Sequence, residues 1–160
     1  MTTTTHETEI SLDPKVPLVR ITREFDAPRD KVFRAHTDPE LVKQWLGPRG
    51  YEMRVEHFEC RTGGSYRYVH VNEDGAEFAF HGSFHEVRPS EVIVQTFTFE
   101  GDPDGVALER LVLEDLGNGR TRLVATSLVD TFEGRDAFVA SGMEDGIRQS
   151  YERLDELFAG

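Results

Sequence analysis

Apolar residues fall at even separations in the run Leu18 to Phe25, where Val19, Ile21 and Phe25 share one side, and this alternation predicts a half-buried strand. The period then lengthens. Pro28 opens a short helical pattern holding Val32, Phe33 and Ala35. Asp38-Pro39-Glu40 restarts it with an N-cap acid, a proline at the first helical position and an acid in the first turn. This second helix carries Leu41, Trp45 and Leu46 and stops at Gly47-Pro48. From Tyr51 to Asp130 the pattern is β again, with runs at Tyr66–Tyr68, Phe78–Phe80 and Ile93–Phe99 and two more around Leu111 and Val124. Turn signals at Thr62-Gly63-Gly64, Asn72–Gly75, Arg88-Pro89-Ser90, Gly101-Asp102-Pro103 and Gly117-Asn118-Gly119 join neighbouring strands, and no connection is long enough for a parallel crossover.

The end of the chain is helical. Met143, Ile147, Tyr151, Leu154 and Phe158 lie along one face. Ser141 with Glu144 reads as a capping box, which places the start of the long helix there, after a shorter helical turn around Arg135 to Ala140. Residues 1–17 are Thr-rich and polar, with Pro14 and Pro17 against any regular element, and read as a tail ahead of one domain over residues 18–160. The order predicts an α+β helix-grip fold: a curved antiparallel sheet of about six to seven strands around a long C-terminal helix, with two short helices after the first strand. One helix cannot fill the concave side of so wide a sheet, so a cavity is expected between them.

Composition narrows the function. A length of 160 residues suits one domain. Cys60 is the single cysteine, which excludes an internal disulfide and a Cys-rich zinc site and fits a reducing cytoplasm. With 30 acidic against 18 basic residues the formal net charge is -12, and no basic stripe offsets it, so nucleic acid is not an expected partner. No stretch is apolar enough to insert in a membrane, and the opening residues lack the pattern of a secretory signal.

Several residues have side chains suited to a ligand. Trp45, at the end of the second helix, can cap a cavity mouth, donate its indole N–H or serve as a packing anchor. Tyr66, Tyr68 and His70 share the face of their strand opposite Arg67, which places them towards the helix. Phe78, Phe80 and Phe84 share a face of the next strand, and Phe97 and Phe99 share one with Ile93. Leu111, Leu113, Met143, Ile147 and Tyr151 complete the candidate ligand-binding set. Gly142, Gly146 and Ser150 recur every four residues on the last helix, where each glycine costs ~1 kcal/mol relative to alanine; either a strand backbone approaches there or room is kept for a ligand. His81 and His85 are too few for a metal site, Cys60 has no base beside it, and no metal or cofactor is expected. His70, Tyr66 and Glu109 are the candidates for moving a proton, with Glu109 read equally as an exposed residue paired with a Lys or Arg.

The order Arg23-Glu24-Phe25-Asp26-Ala27-Pro28, Val32-Phe33, Thr37–Glu40, Trp45–Pro48, Gly63–Arg67, Ser141–Glu144 and Arg153-Leu154 resembles the group related to the Hsp90 ATPase activator C-terminal domain, in the START-like, Bet v 1-like superfamily. The resemblance runs over nearly the whole chain from Leu18. It implies a helix-grip fold with an internal cavity, and it favours an apolar ligand of lipid, aromatic or polyketide-like character. The alternatives it implies are a cyclase-like or hydrolytic enzyme without a metal, and a co-chaperone-like or homodimeric interaction module without a ligand.

Overall fold

The computed structural model describes residues 6–160. Among them, eight strands form one antiparallel sheet and four helices pack on it. The strands are β1 (Glu9–Leu12), β2 (Leu18–Phe25), β3 (Glu52–Phe58), β4 (Ser65–Val71), β5 (Glu77–Arg88), β6 (Val92–Phe99), β7 (Ala107–Gly117) and β8 (Arg120–Leu128). The helices are α1 (Arg29–Thr37), α2 (Pro39–Trp45), α3 (Phe132–Ala140) and α4 (Met143–Ala159). The sheet order is β1-β2-β8-β7-β6-β5-β4-β3. Strands β3 to β8 therefore form a meander joined at the five predicted turns. The single long crossing, from β2 at one side to β3 at the other, is made by α1 and α2. Asp38 caps α2 by accepting the backbone N–H of Glu40, and Gly47 takes a positive φ of 105° to turn the chain out of that helix.

Two elements differ from expectation. The segment ahead of Leu18, read as a polar tail, contains β1, whose residues pair with the free edge of β2 in the register Ile10 to Ile21; residues 1–5 of that segment lie outside the described residues. Its backbone amides and carbonyls find partners there, and arginines from the helices complete the attachment: Arg148 donates to the Thr8 carbonyl and Arg135 to the Asp13 carbonyl, both at 2.6 Å. The capping box does not form. Ser141 ends α3 and donates to the Phe138 carbonyl, while the N-cap of α4 is Gly142 at φ 91°, a left-handed conformation that glycine adopts without strain.

The core lies under the second half of α4. Tyr151 and Leu154 pack on Val19, Ile21 and Phe25 of β2, with Leu113 and Leu123 from β7 and β8. Phe25 meets the Tyr151 and Phe158 rings edge-on at 5.5 and 5.8 Å. Each large side chain buried this fully contributes ~1.5–3 kcal/mol. The alternation that buries Ile21 and Phe25 also carries Arg23 to the inner face, where its side chain is 2% exposed. Its guanidinium grips Asp155 of α4 in a two-pronged pair at 2.6 and 3.1 Å, donates to the Glu24 carbonyl, and lies over the Phe25 ring at 4.9 Å. This pair fastens the long helix to the sheet. Replacing Asp155 by Ala strands a buried cation, and urea unfolding should show a loss of about 3 kcal/mol. A loss below about 1 kcal/mol would mean that the apolar contacts alone seat α4.

Candidate functional site

The first half of α4 covers a different part of the sheet from the second half. Met143, Gly146, Ile147 and Ser150 roof a cavity of about 340 Å³, with Met143 and Ile147 also packed against the edge of the core. Its floor is β4 to β7, through Tyr66, Tyr68, His70, Phe80 and Phe97, and its remaining wall comes from α2 and the turn after it, through Trp45, Leu46 and Pro48. The volume lies at the lower end of the ~300–1,000 Å³ usual for small-molecule sites. The aromatic walls brace one another: Tyr68 stacks on Tyr66 and Phe80 at 5.9 and 5.4 Å, and Phe80 stacks on Phe97 at 5.3 Å.

Gly146 explains part of the open space. A Cβ built on it would meet nothing nearer than Pro48, at 3.9 Å, and one on Gly142 would meet nothing within 4 Å. No strand backbone approaches either position, so the close-packing reading of this stripe does not hold. Ser150 is structural, accepting the Gly47 N–H at 2.8 Å and donating to the Gly146 carbonyl at 2.9 Å. The close approaches lie elsewhere. Gly47 packs on the His70 ring, and Gly82 leaves room for the Tyr66 hydroxyl to cross β5 and donate to the Thr96 carbonyl at 2.7 Å.

At the Tyr66 end the cavity is polar. Gln95 Nε2 donates to Glu109 Oε1 at 3.1 Å and to the Tyr66 hydroxyl at 3.3 Å. Glu109 is directed inwards and forms no ion pair among the described residues, which favours its reading as a cavity residue over that as an exposed, paired one. Burial pushes its carboxyl up to about 7, against the smaller opposing influences of Gln95 and of Ser127, its register partner on β8. Burial also raises the Tyr66 and Tyr68 phenols well above their ordinary value, and the Glu109 charge adds to this. His70 and His36 both line the cavity with imidazoles lowered to about 4, mainly by burial; His36 Nδ1 bonds the Val32 carbonyl at 2.8 Å, whereas His70 Nδ1 is buried without a partner.

The other sequence candidates divide between wall, core and rim. Trp45 lines the cavity, but its indole N–H is used on the Ala35 carbonyl at 2.9 Å, so it is a packed wall and not a ligand donor. Phe84 belongs to the buried cluster beneath Tyr66, and Leu111 packs between this cluster and the main core. Leu113 and Tyr151 are core, with Tyr151 stacked behind Trp45 at 6.3 Å. Phe78 and Phe99 lie at the far end of β5 and β6 beside Tyr51, with Phe99 38% exposed. Strand parity puts all these rings on one face but does not say which rung the cavity occupies. Gln95 and Glu109 were accessible to the same parity argument, because Gln95 alternates with Ile93 and Phe97 and Glu109 with Leu111.

Outside the cavity, His81 joins Arg67 on the Glu100 carboxylate at 2.9 and 2.8 Å, on the solvent side of β4 and β5. Cys60 packs against the aromatic cluster, and burial pushes its thiol up to about 12, which disfavours the thiolate a nucleophile requires.

The sequence model of the family described as Activator of Hsp90 ATPase homolog 1-like protein matches residues 26–159. The chain belongs to this family. A crystal structure of a protein from Rhodobacter sphaeroides is 27% identical and superposes with a TM-score of 0.85, covering 94% of this chain and 97% of that one. A protein from Chromobacterium violaceum is 29% identical with a TM-score of 0.76, over 88% and 96% of the two chains. An AHSA1 protein from Silicibacter pomeroyi, 21% identical with a TM-score of 0.74 over 89% and 97%, shares the fold. A search of curated proteins finds no match. The family match begins after β2.

The inward Glu109 has a measurable signature. Its pKa is raised from 4.5 to about 7 on folding, so the folded state keeps a proton that the unfolded chain releases. The resulting stability is complete below about pH 4.5 and is lost as pH rises through about 7, a change of about 3 kcal/mol. Glu109→Gln stays neutral and lacks this loss. Its stability relative to the parent protein should therefore increase between about pH 5 and pH 8 when both are unfolded in urea. A difference that stays constant across that range would place Glu109 in contact with water.

Proposed function

We propose that the protein binds and encloses an apolar small molecule with an aromatic or polyketide-like body in the cavity under α4. The observation that carries this reading is the room beside Gly146 and Pro48, bounded by aromatic faces and closed at one end by a small polar group. An interior normally fills such space, because a void forfeits packing contacts at both of its walls. Gly146 is retained inside a helix here, where alanine would be more stable. Polar groups supply orientation: the Tyr68 hydroxyl makes no hydrogen bond among the described residues, and His70 Nδ1, further along β4 from the Tyr66 end, is unpaired. Membership of the family supports a module that binds a ligand or a protein, and the cavity favours the ligand.

Thermal unfolding against a panel of planar aromatics, fatty acids and polyketide-like compounds tests this. A bound compound should raise the melting temperature in a concentration-dependent way, reaching about 2.7 kcal/mol of added stability at a hundredfold excess over Kd. Gly146→Phe fills the space from the roof and should abolish the shift while the protein still unfolds cooperatively. A panel without any shift, or shifts that survive the filled cavity, would move the function to the outer surface.

A further inference from the structure

The polar end of the cavity holds a carboxyl without a countercharge. Glu109 offers a carboxyl to the space, one oxygen is held by Gln95 Nε2, and no Lys or Arg among the described residues pairs with it. Gln95 uses its amide nitrogen on Glu109 and on the Tyr66 hydroxyl, and the Tyr66 hydroxyl donates onward to the Thr96 carbonyl. The groups beside the carboxylate are therefore all neutral: Gln95 and Tyr66 are already engaged, and Ser127 offers only a hydroxyl. A buried carboxylate is stabilised far better by a cation than by neutral donors, so the missing partner is a positive charge.

We infer that the ligand carries a basic nitrogen, an amine or amidine on a compact apolar body, which pairs with Glu109 at the Tyr66 end while its body lies against Tyr68, Phe80 and Phe97. This rests on the ligand-binding reading given above and names the class of compound. Two further features agree with it. The aromatic faces along the cavity attract a cation through their ring electrons. The chain as a whole is strongly acidic at a net charge of -12, which concentrates cations rather than anions around it.

The titratable groups around Glu109 leave the pairing open. From β4 come Tyr66 and Tyr68 and from α4 Tyr151, all three phenols raised by burial and so neutral. Ser127 faces it from β8 and Gln95 from β6. His36 and His70 line the same cavity as neutral imidazoles. Arg153 acts on His70, beyond Tyr68 along β4, and donates to the Gly47 and Gln44 carbonyls. Arg23 reaches Tyr151 but is held by Asp155.

Calorimetric titration with naphthylmethylamine, naphthylmethanol and naphthoate separates charge from shape, because the three share one aromatic body. The amine should bind at least about tenfold more tightly than the alcohol near pH 8, the worth of one charge-assisted hydrogen bond, with the acid weakest. That preference should fade towards about pH 5.5, where Glu109 takes up its proton. In Glu109→Gln the ratio of amine to alcohol affinity should fall to about one. Tighter binding of the alcohol or acid, or an amine preference that survives Glu109→Gln, overturns the amine proposal and leaves ligand binding standing. If no member of the series binds, the amine proposal fails; a compound of another class that raises the melting temperature keeps the ligand-binding reading, and a thermal panel without any shift ends that too. Should Glu109→Gln not fold, the pH dependence in the parent protein decides alone: an amine preference that does not change with pH contradicts the pairing.

Discussion

A single helix has to cover a sheet much wider than itself. Eight strands spaced ~4.8 Å apart span roughly 34 Å before curling, whereas a helix with its side chains is ~10–12 Å across. The sheet answers by curling, and α4 answers by splitting its work along its length. Its second half closes a dense core with β2, β7 and β8, secured by the buried pair between Arg23 and Asp155. Its first half roofs the open space over β4 to β7, and that space is the cavity. Packing at one end and room at the other are consequences of the same geometry.

Much of this was legible in the sequence because it depends on period. The five turns, the two short helices and the parity that turns Tyr66, Tyr68 and His70 inwards follow from spacing and from turn residues alone. Parity also misleads when charge is allowed to overrule it. Arg23 and Glu109 both alternate with buried apolar neighbours, yet a charged residue on a strand is readily assigned to solvent. One is inside because a partner on α4 neutralises it, the other because it borders open space. Depth along a strand is not encoded by period at all, which is why Phe80 and Phe97 line the cavity while Phe99, on the same face, reaches solvent.

Small residues were the other source of error. A capping box needs the serine to stay outside the helix it caps, but Ser141 closes α3, and the two-residue junction leaves the N-cap to Gly142. Gly146, where the sequence left close packing and room for a ligand both open, borders empty space, while Gly82, inside a strand, marks the point where the Tyr66 hydroxyl crosses the backbone. Strand β1 escaped detection because four residues are too short to show a period, and its pairing is decided by the free edge of β2. The family match gives the fold and its lineage, and the cavity gives that fold a chemical character: aromatic walls and one inward carboxyl in an acidic chain.

Trp45, the single tryptophan, is 3% exposed and forms part of the cavity wall, so its fluorescence reports directly on what enters. Titration with an aromatic compound that accepts energy from indole should quench it in a saturable way at one molecule per chain. Quenching that rises linearly without saturation, or no quenching by compounds that otherwise alter the protein, would show that the space under α4 is closed to ligands.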